Sequence, residues 1–91
     1  MTLHLIHTTR AELSPGMILD APTETDDFLL QFGDETESRA LFLRGEGGRP
    51  VLKVSGYMTM DGTVVAECLW SVREVVERDG RRMLRLGQPM D

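Results

Sequence analysis

The stretch Glu74-Val75-Val76-Glu77-Arg78-Asp79-Gly80-Arg81-Arg82-Met83-Leu84-Arg85 decides the fold. An Asp-Gly pair between β-rich runs signals a two-residue type I′ hairpin, whose two central residues both need positive φ. Pairing outward opposes Arg78 to Arg81, Glu77 to Arg82, Val76 to Met83, Val75 to Leu84 and Glu74 to Arg85. Two opposite-charge pairs and two apolar pairs thus face each other, as cross-strand neighbours prefer. A short helix over 71–78 is the competing reading, because Ser71-Val72-Arg73-Glu74 has capping-box spacing and Leu69, Val72 and Val76 recur at helical intervals. The β-branched valines and the charge pairing favour a strand.

Working upstream, Asp61-Gly62 predicts a second two-residue turn, with Thr59 opposite Val64, Met58 opposite Val65, Tyr57 opposite Ala66 and Lys53 opposite Trp70. A continuous strand over 63–78 must then bend or bulge. Val51–Met60 reads as the strand before that turn, reached through the glycine-rich connection 45–50. Phe28–Phe32 and Ala40–Leu43 flank an acidic hairpin loop, 33–38. Ser14-Pro15-Gly16 carries type II turn chemistry and leads into a short strand at Met17–Leu19. Leu3–Thr8 alternates like a half-buried strand, 20–27 reads as a mobile acidic loop, and the tail after Gly87 is expected to fray. Together these readings predict a single all-β domain over 1–91, a small meander barrel or strongly curled antiparallel sheet of six to seven strands.

With 91 residues the chain suits one domain, and 41% hydrophobic with 27% charged residues suits a folded one. The single cysteine, Cys68, forms neither an intrachain disulfide nor a Cys-rich zinc site. No apolar run has the length of a membrane span and no signal-like start is evident, so a cytoplasmic, non-membrane protein is expected. The net charge of −5 argues against a sequence-independent nucleic-acid binder, which needs Lys and Arg to neutralise phosphates. Residues 1–37 hold eight carboxylates against the single base Arg10, whereas the remainder holds nine bases against seven acids. Such a split suits a basic protein partner or self-association.

No catalytic or metal constellation stands out. His4 and His7, three apart on a strand, point to opposite faces, and Asp20, Glu24, Asp26 and Asp27 lack the spacing of a calcium loop. The glycines at 45, 47 and 48 lack the Gly-Lys-Ser/Thr of a phosphate loop, no serine sits in a nucleophile elbow, and Cys68 reads as a buried thiol. The expectation is a non-enzymatic interaction module without cofactor, binding a basic protein through its acidic loops. Asp26, Asp27, Asp34 and Glu35 are the candidate contacts, joined by the amphipathic aromatics Tyr57 and Trp70. Lys53 opposite Trp70 would permit a cation–π contact, Met58, Met60 and Met83 an adaptable patch, and open sheet edges a homodimer.

The alternative is a small-molecule or acyl-group binding β-barrel, its cavity lined by Tyr57, Trp70, Met58 and Phe42. The segment Gly56-Tyr57-Met58-Thr59-Met60-Asp61-Gly62-Thr63-Val64-Val65-Ala66-Glu67 resembles the late hairpin of hotdog-fold acyl-carrier dehydratases. That local resemblance implies a curved sheet holding an apolar ligand. It carries no functional residue, because the catalytic His segment and central helix of that family have no counterpart in the sequence.

Overall fold

A computed structural model describes residues 4–10, 12–23 and 25–90. Leu3, Glu24 and the side chain of His4 therefore lie outside the described residues. The elements are β1 (His4–His7), β2 (Ile18–Pro22), β3 (Asp27–Gln31), β4 (Glu37–Arg44), a 3₁₀ turn at Glu46–Gly48, β5 (Pro50–Val54), β6 (Tyr57–Met58), β7 (Val64–Val65), β8 (Cys68–Arg78) and β9 (Arg81–Met90). Seven strands form one nearly closed, barrel-like sheet in the order β1-β3-β4-β5-β8-β9-β2, and β6 and β7 form a separate hairpin. From β3 onward the main sheet is a meander. The exceptions are β1, which pairs parallel with β3, and β2, which pairs with β9. The edge strands β1 and β2 come within 8 Å between Cα atoms but share no ladder. Among the described residues no helix is long and apolar enough to cross a membrane.

The type I′ hairpin forms as the pairing predicts, with Asp79 at φ 52° and Gly80 at φ 77°, and residues 71–78 are strand rather than helix. The ladder continues past Gly87 to Trp70 opposite Pro89 and Leu69 opposite Met90, so the expected frayed tail is paired strand. Two irregularities bend it. The ladder skips a residue of β9 between the Trp70 and Val72 pairs and a residue of β8 between the Val72 and Glu74 pairs, so the register is restored. The parity of β8 changes there: Trp70 and Val72 point inward, and after Arg73 it is Val75 that packs against the core. Both Leu86 and Gly87 are buried at the same bend. Paired bulges increase local twist and curl a long ribbon, which is how a strand of 11 residues serves β5 at one end and β9 along its length.

The second hairpin departs from expectation. Tyr57 pairs with Val65 and Met58 with Val64, one residue out of the predicted register. Gly62 donates to the Thr59 carbonyl at 3.0 Å and has φ 89°, whereas Asp61 keeps negative φ, so the loop is three residues closed by a glycine bulge. The cause is the Asp61 carboxylate, which accepts from the Thr63 amide at 3.1 Å and from the Thr59 hydroxyl. Both long strands predicted around this turn are interrupted, at Ser55–Gly56 and Ala66–Glu67. With the slip, Leu52 rather than Lys53 lies opposite Trp70, and Lys53 faces Leu69, so the predicted Lys53–Trp70 contact is replaced by an ion pair of Lys53 with Glu67 at 3.5 Å. The Ser14-Pro15-Gly16 turn forms as expected, with Gly16 at φ 83° and Met17 N donating to Ser14 O at 3.2 Å.

Inward positions fill the barrel. Phe28, Leu30, Leu52, Leu84 and Leu86 are fully buried, and small Ala40 sits opposite large Phe28 in the ladder. One end is closed by Arg82, 9% exposed, whose guanidinium lies 4.8 Å from the Phe42 ring centroid. Arg82 donates to Asp26 at 2.9 Å. Its Nε is 3.3 Å from a Glu77 oxygen, close enough for charge attraction, but the geometry is not that of a hydrogen bond and Nε has no such partner.

Two predictions follow from these contacts. A Cβ on Gly87 would stand 2.2 Å from Ser71 Oγ, which accepts from Gln88 N at 2.8 Å and bridges the bend. Gly87→Ala is expected to destabilise the fold by about 1–3 kcal/mol, and Ser71→Ala in the same chain to recover part of that, read from denaturant midpoints at unchanged slope. For Arg82, both acidic partners are more than half exposed and return to water if it is removed, so the large cost of orphaning a buried charge does not arise. Arg82→Ala should lose about 2 kcal/mol through packing on Phe42, and Arg82→Met should stay within about 1 kcal/mol of the parent.

Candidate functional site

The two acidic segments do not form one surface. Asp26 and Asp27 lie where β3 begins, and Asp34 and Glu35 lie beyond its end, so a five-residue strand of roughly 17 Å separates them. Residues 20–22 of the predicted mobile loop belong to β2, because Ala21 is an inward position at 2% exposure and Asp20, Ala21 and Pro22 pair with β9. At that end the acids are engaged by arginines. Asp20 pairs with Arg81 at 3.4 Å, Asp26 with Arg82, and Asp27 with Arg39. The hydrogen bond from Arg39 holds the Asp27 carboxyl below its ordinary range.

The other end gathers Asp34, Glu35, Tyr57 and Trp70. Phe32 ends the β3 run with its ring stacked on Tyr57, centroids 4.8 Å apart, which anchors the β6–β7 hairpin to the core. Gly33 follows because its backbone lies on the chain at Thr9: an added Cβ would be 2.4 Å from the Thr9 carbonyl oxygen. Asp34 then accepts from the Thr36 amide at 3.0 Å and from the Met60 amide at 3.4 Å, tying the β3–β4 loop to the hairpin tip. These bonds hold the Asp34 carboxyl below the usual range, and those from Thr59 and Thr63 do the same for Asp61. At the hairpin base, buried Ser38 donates to the Ser55 carbonyl at 2.7 Å.

Beneath the hairpin opens a recess of about 340 Å³. Val54, Cys68 and Trp70 form its floor, Leu13 and Tyr57 are among its walls, and Glu12 and Glu67 also line it. Cys68 is half-buried rather than buried, with Sγ 3.4 Å from the Leu69 carbonyl oxygen. Tyr57 has its phenol pKa raised above 10, first by burial and then by the negative charges of Glu12 and Asp34.

Of the residues expected to line a cavity, Tyr57 and Trp70 do so, Met58 faces solvent, and Phe42 sits under Arg82 at the far end. The barrel interior is packed, so this recess lies at the end of the barrel and not within it. Glu12 and Glu67 were missed, since nothing local in the sequence links residues so far apart. His7 is exposed, and among the described residues no three His, Cys, Asp or Glu side chains converge to hold a metal. Compared with known proteins, the chain matches no family model, no curated protein and no solved structure.

The tyrosine offers a direct check, because Tyr57 is the only one in the chain. Its raised pKa means that folding favours the neutral phenol, a contribution present in full below the ordinary tyrosine value and lost as pH climbs through the raised one. An ultraviolet absorbance titration should place its ionisation above 10, and Glu12→Gln or Asp34→Asn should each bring the midpoint down.

Proposed function

We propose that the protein is a non-enzymatic interaction module of the cytoplasm that docks a basic partner protein on the acidic end of its barrel. The β6–β7 hairpin carries this reading. Successive strand residues face opposite ways, so Tyr57 and Val65 face the barrel while their neighbours Met58 and Val64 stand opposite each other on the outer face. Met58 is 62% exposed, Val64 77%, and Met60 at the tip 78%. A two-stranded hairpin is marginal by itself, and methionine-bearing apolar surface adapts well to a partner. Glu12, Asp34 and Glu35 make no ion pair with the described residues, so their charge is available to steer a basic partner. The unladdered edges of β1 and β2 support a homodimer under the same reading.

A second reading, a binder of small molecules, is favoured by the apolar floor of the recess. At about 340 Å³ the space is at the small end of ligand pockets, which run from about 300 to 1,000 Å³, and suits a compact group better than a long acyl chain.

The docking reading is tested with a photo-reactive residue at Met60 in protein produced in its own host. A discrete protein adduct is expected. Glu12→Lys with Glu35→Lys should reduce it by about fivefold or more, while Glu46→Lys, on the 3₁₀ turn between β4 and β5, should leave it unchanged. Asp34 stays in place because it holds the hairpin. An adduct insensitive to the Glu12 and Glu35 reversals would overturn the assignment of the surface.

A further inference from the structure

The recess gives the docking surface a specificity pocket, an inference that rests on the reading above. We propose that it takes one long basic side chain, a lysine or arginine, from the docked partner. The volume of about 340 Å³ fits a side chain of that length, with an apolar floor of Val54 and Trp70 for the methylene stem. The charged head then meets Glu12 and Glu67, the two carboxylates of the lining. Glu67 already attracts an ammonium, since Lys53 of this chain holds its Nζ 3.5 Å from Oε1. That pair is exposed on both sides and therefore weak, so an incoming cation can displace it at small cost.

The potential in the recess has the matching sign. After burial, the charges of Glu12 and Asp34 are what raise the Tyr57 pKa, and the negative potential they set there favours a cation and disfavours a carboxylate ligand. Charge, volume and lining together select a basic side chain over an acidic or purely apolar one.

Trp70 is the only tryptophan and lies in the floor, so its fluorescence reports occupancy directly. The probes are short Gly/Ser peptides carrying a central lysine, arginine or glutamine, together with n-butylamine as a free amine. A saturable Trp70 response to the lysine or arginine peptide is expected, with none from the glutamine peptide and a weaker one from the free amine. Glu12→Gln and Glu67→Gln should each weaken it by roughly fivefold, near the upper limit for an exposed ion pair. Lys53→Gln, which releases Glu67, should tighten it. An equal response to the glutamine peptide would overturn the inference and favour an uncharged ligand. Butylamine binding as tightly as the peptides would overturn it in favour of a small-amine site. No Trp70 response to any probe, with the Met60 adduct still formed, would remove the pocket and leave the docking surface. Loss of both would overturn both.

Discussion

The bend in the β8–β9 ribbon is the constraint on which the barrel depends. β8 pairs with β5 through Cys68–Ser71 and with β9 along most of its length, while β9 passes on to β2. A flat ribbon of that length would send β2 and β5 to distant ends of an open sheet. The compensating irregularities around Val72 curl it instead, and the inward face is handed from Trp70 and Val72 to Val75 without a break in the core. Gly87 makes this possible, because β9 must pass against Ser71 and Arg73 where a side chain would not fit. The ladder recovers its register on the far side, so curvature is gained with little loss of pairing.

The parts of this fold that were legible are those governed by neighbouring residues. The register of the β8–β9 hairpin follows from Asp79-Gly80 and the charges beside it, and Ser14-Pro15-Gly16 makes the turn its chemistry dictates. The same dipeptide misleads at Asp61-Gly62. There the aspartate side chain bonds to Thr63 and Thr59, which stabilises negative φ at Asp61 and adds a residue to the loop. A slip of one residue exchanges the faces of a strand, so the hydrogen bonds of one side chain alter the predicted partners of Lys53 and Trp70. The parallel pairing of β1 with β3 has no local signature either, since it depends on which sheet edge is left open.

Charge was legible in total but not in place. The acidic first 37 residues and the more basic remainder meet in space: Asp20 and Asp26 reach Arg81 and Arg82 across the β2–β9 side, and Asp27 reaches Arg39 across the β3–β4 ladder. Arg81 and Arg82 directly follow the β8–β9 turn at this end, and Arg39 reaches it from within β4, so neutralisation is concentrated there. At the opposite end Glu12, Asp34, Glu35 and Asp61 lie in connections whose one basic residue is Arg10. The segregation that looked like two acidic loops in the chain becomes one neutralised end and one acidic end in the fold.

The acidic end is also where the fold is least self-sufficient. The arginine end is sealed by a guanidinium on Phe42, whereas the other is covered by a two-residue ladder held by the Phe32–Tyr57 stack, the Asp34 bond to Met60 and the Ser38 bond at its base. These are few contacts for a hairpin that leaves one apolar face in water, and such elements belong to the low-stability part of a structure. Because Tyr57 stacks on buried Phe32, displacement of the hairpin opens the terminal recess and uncovers that ring of the core. The curled sheet thus holds the chain together, while the hairpin adds to it one aromatic stack and two side-chain hydrogen bonds.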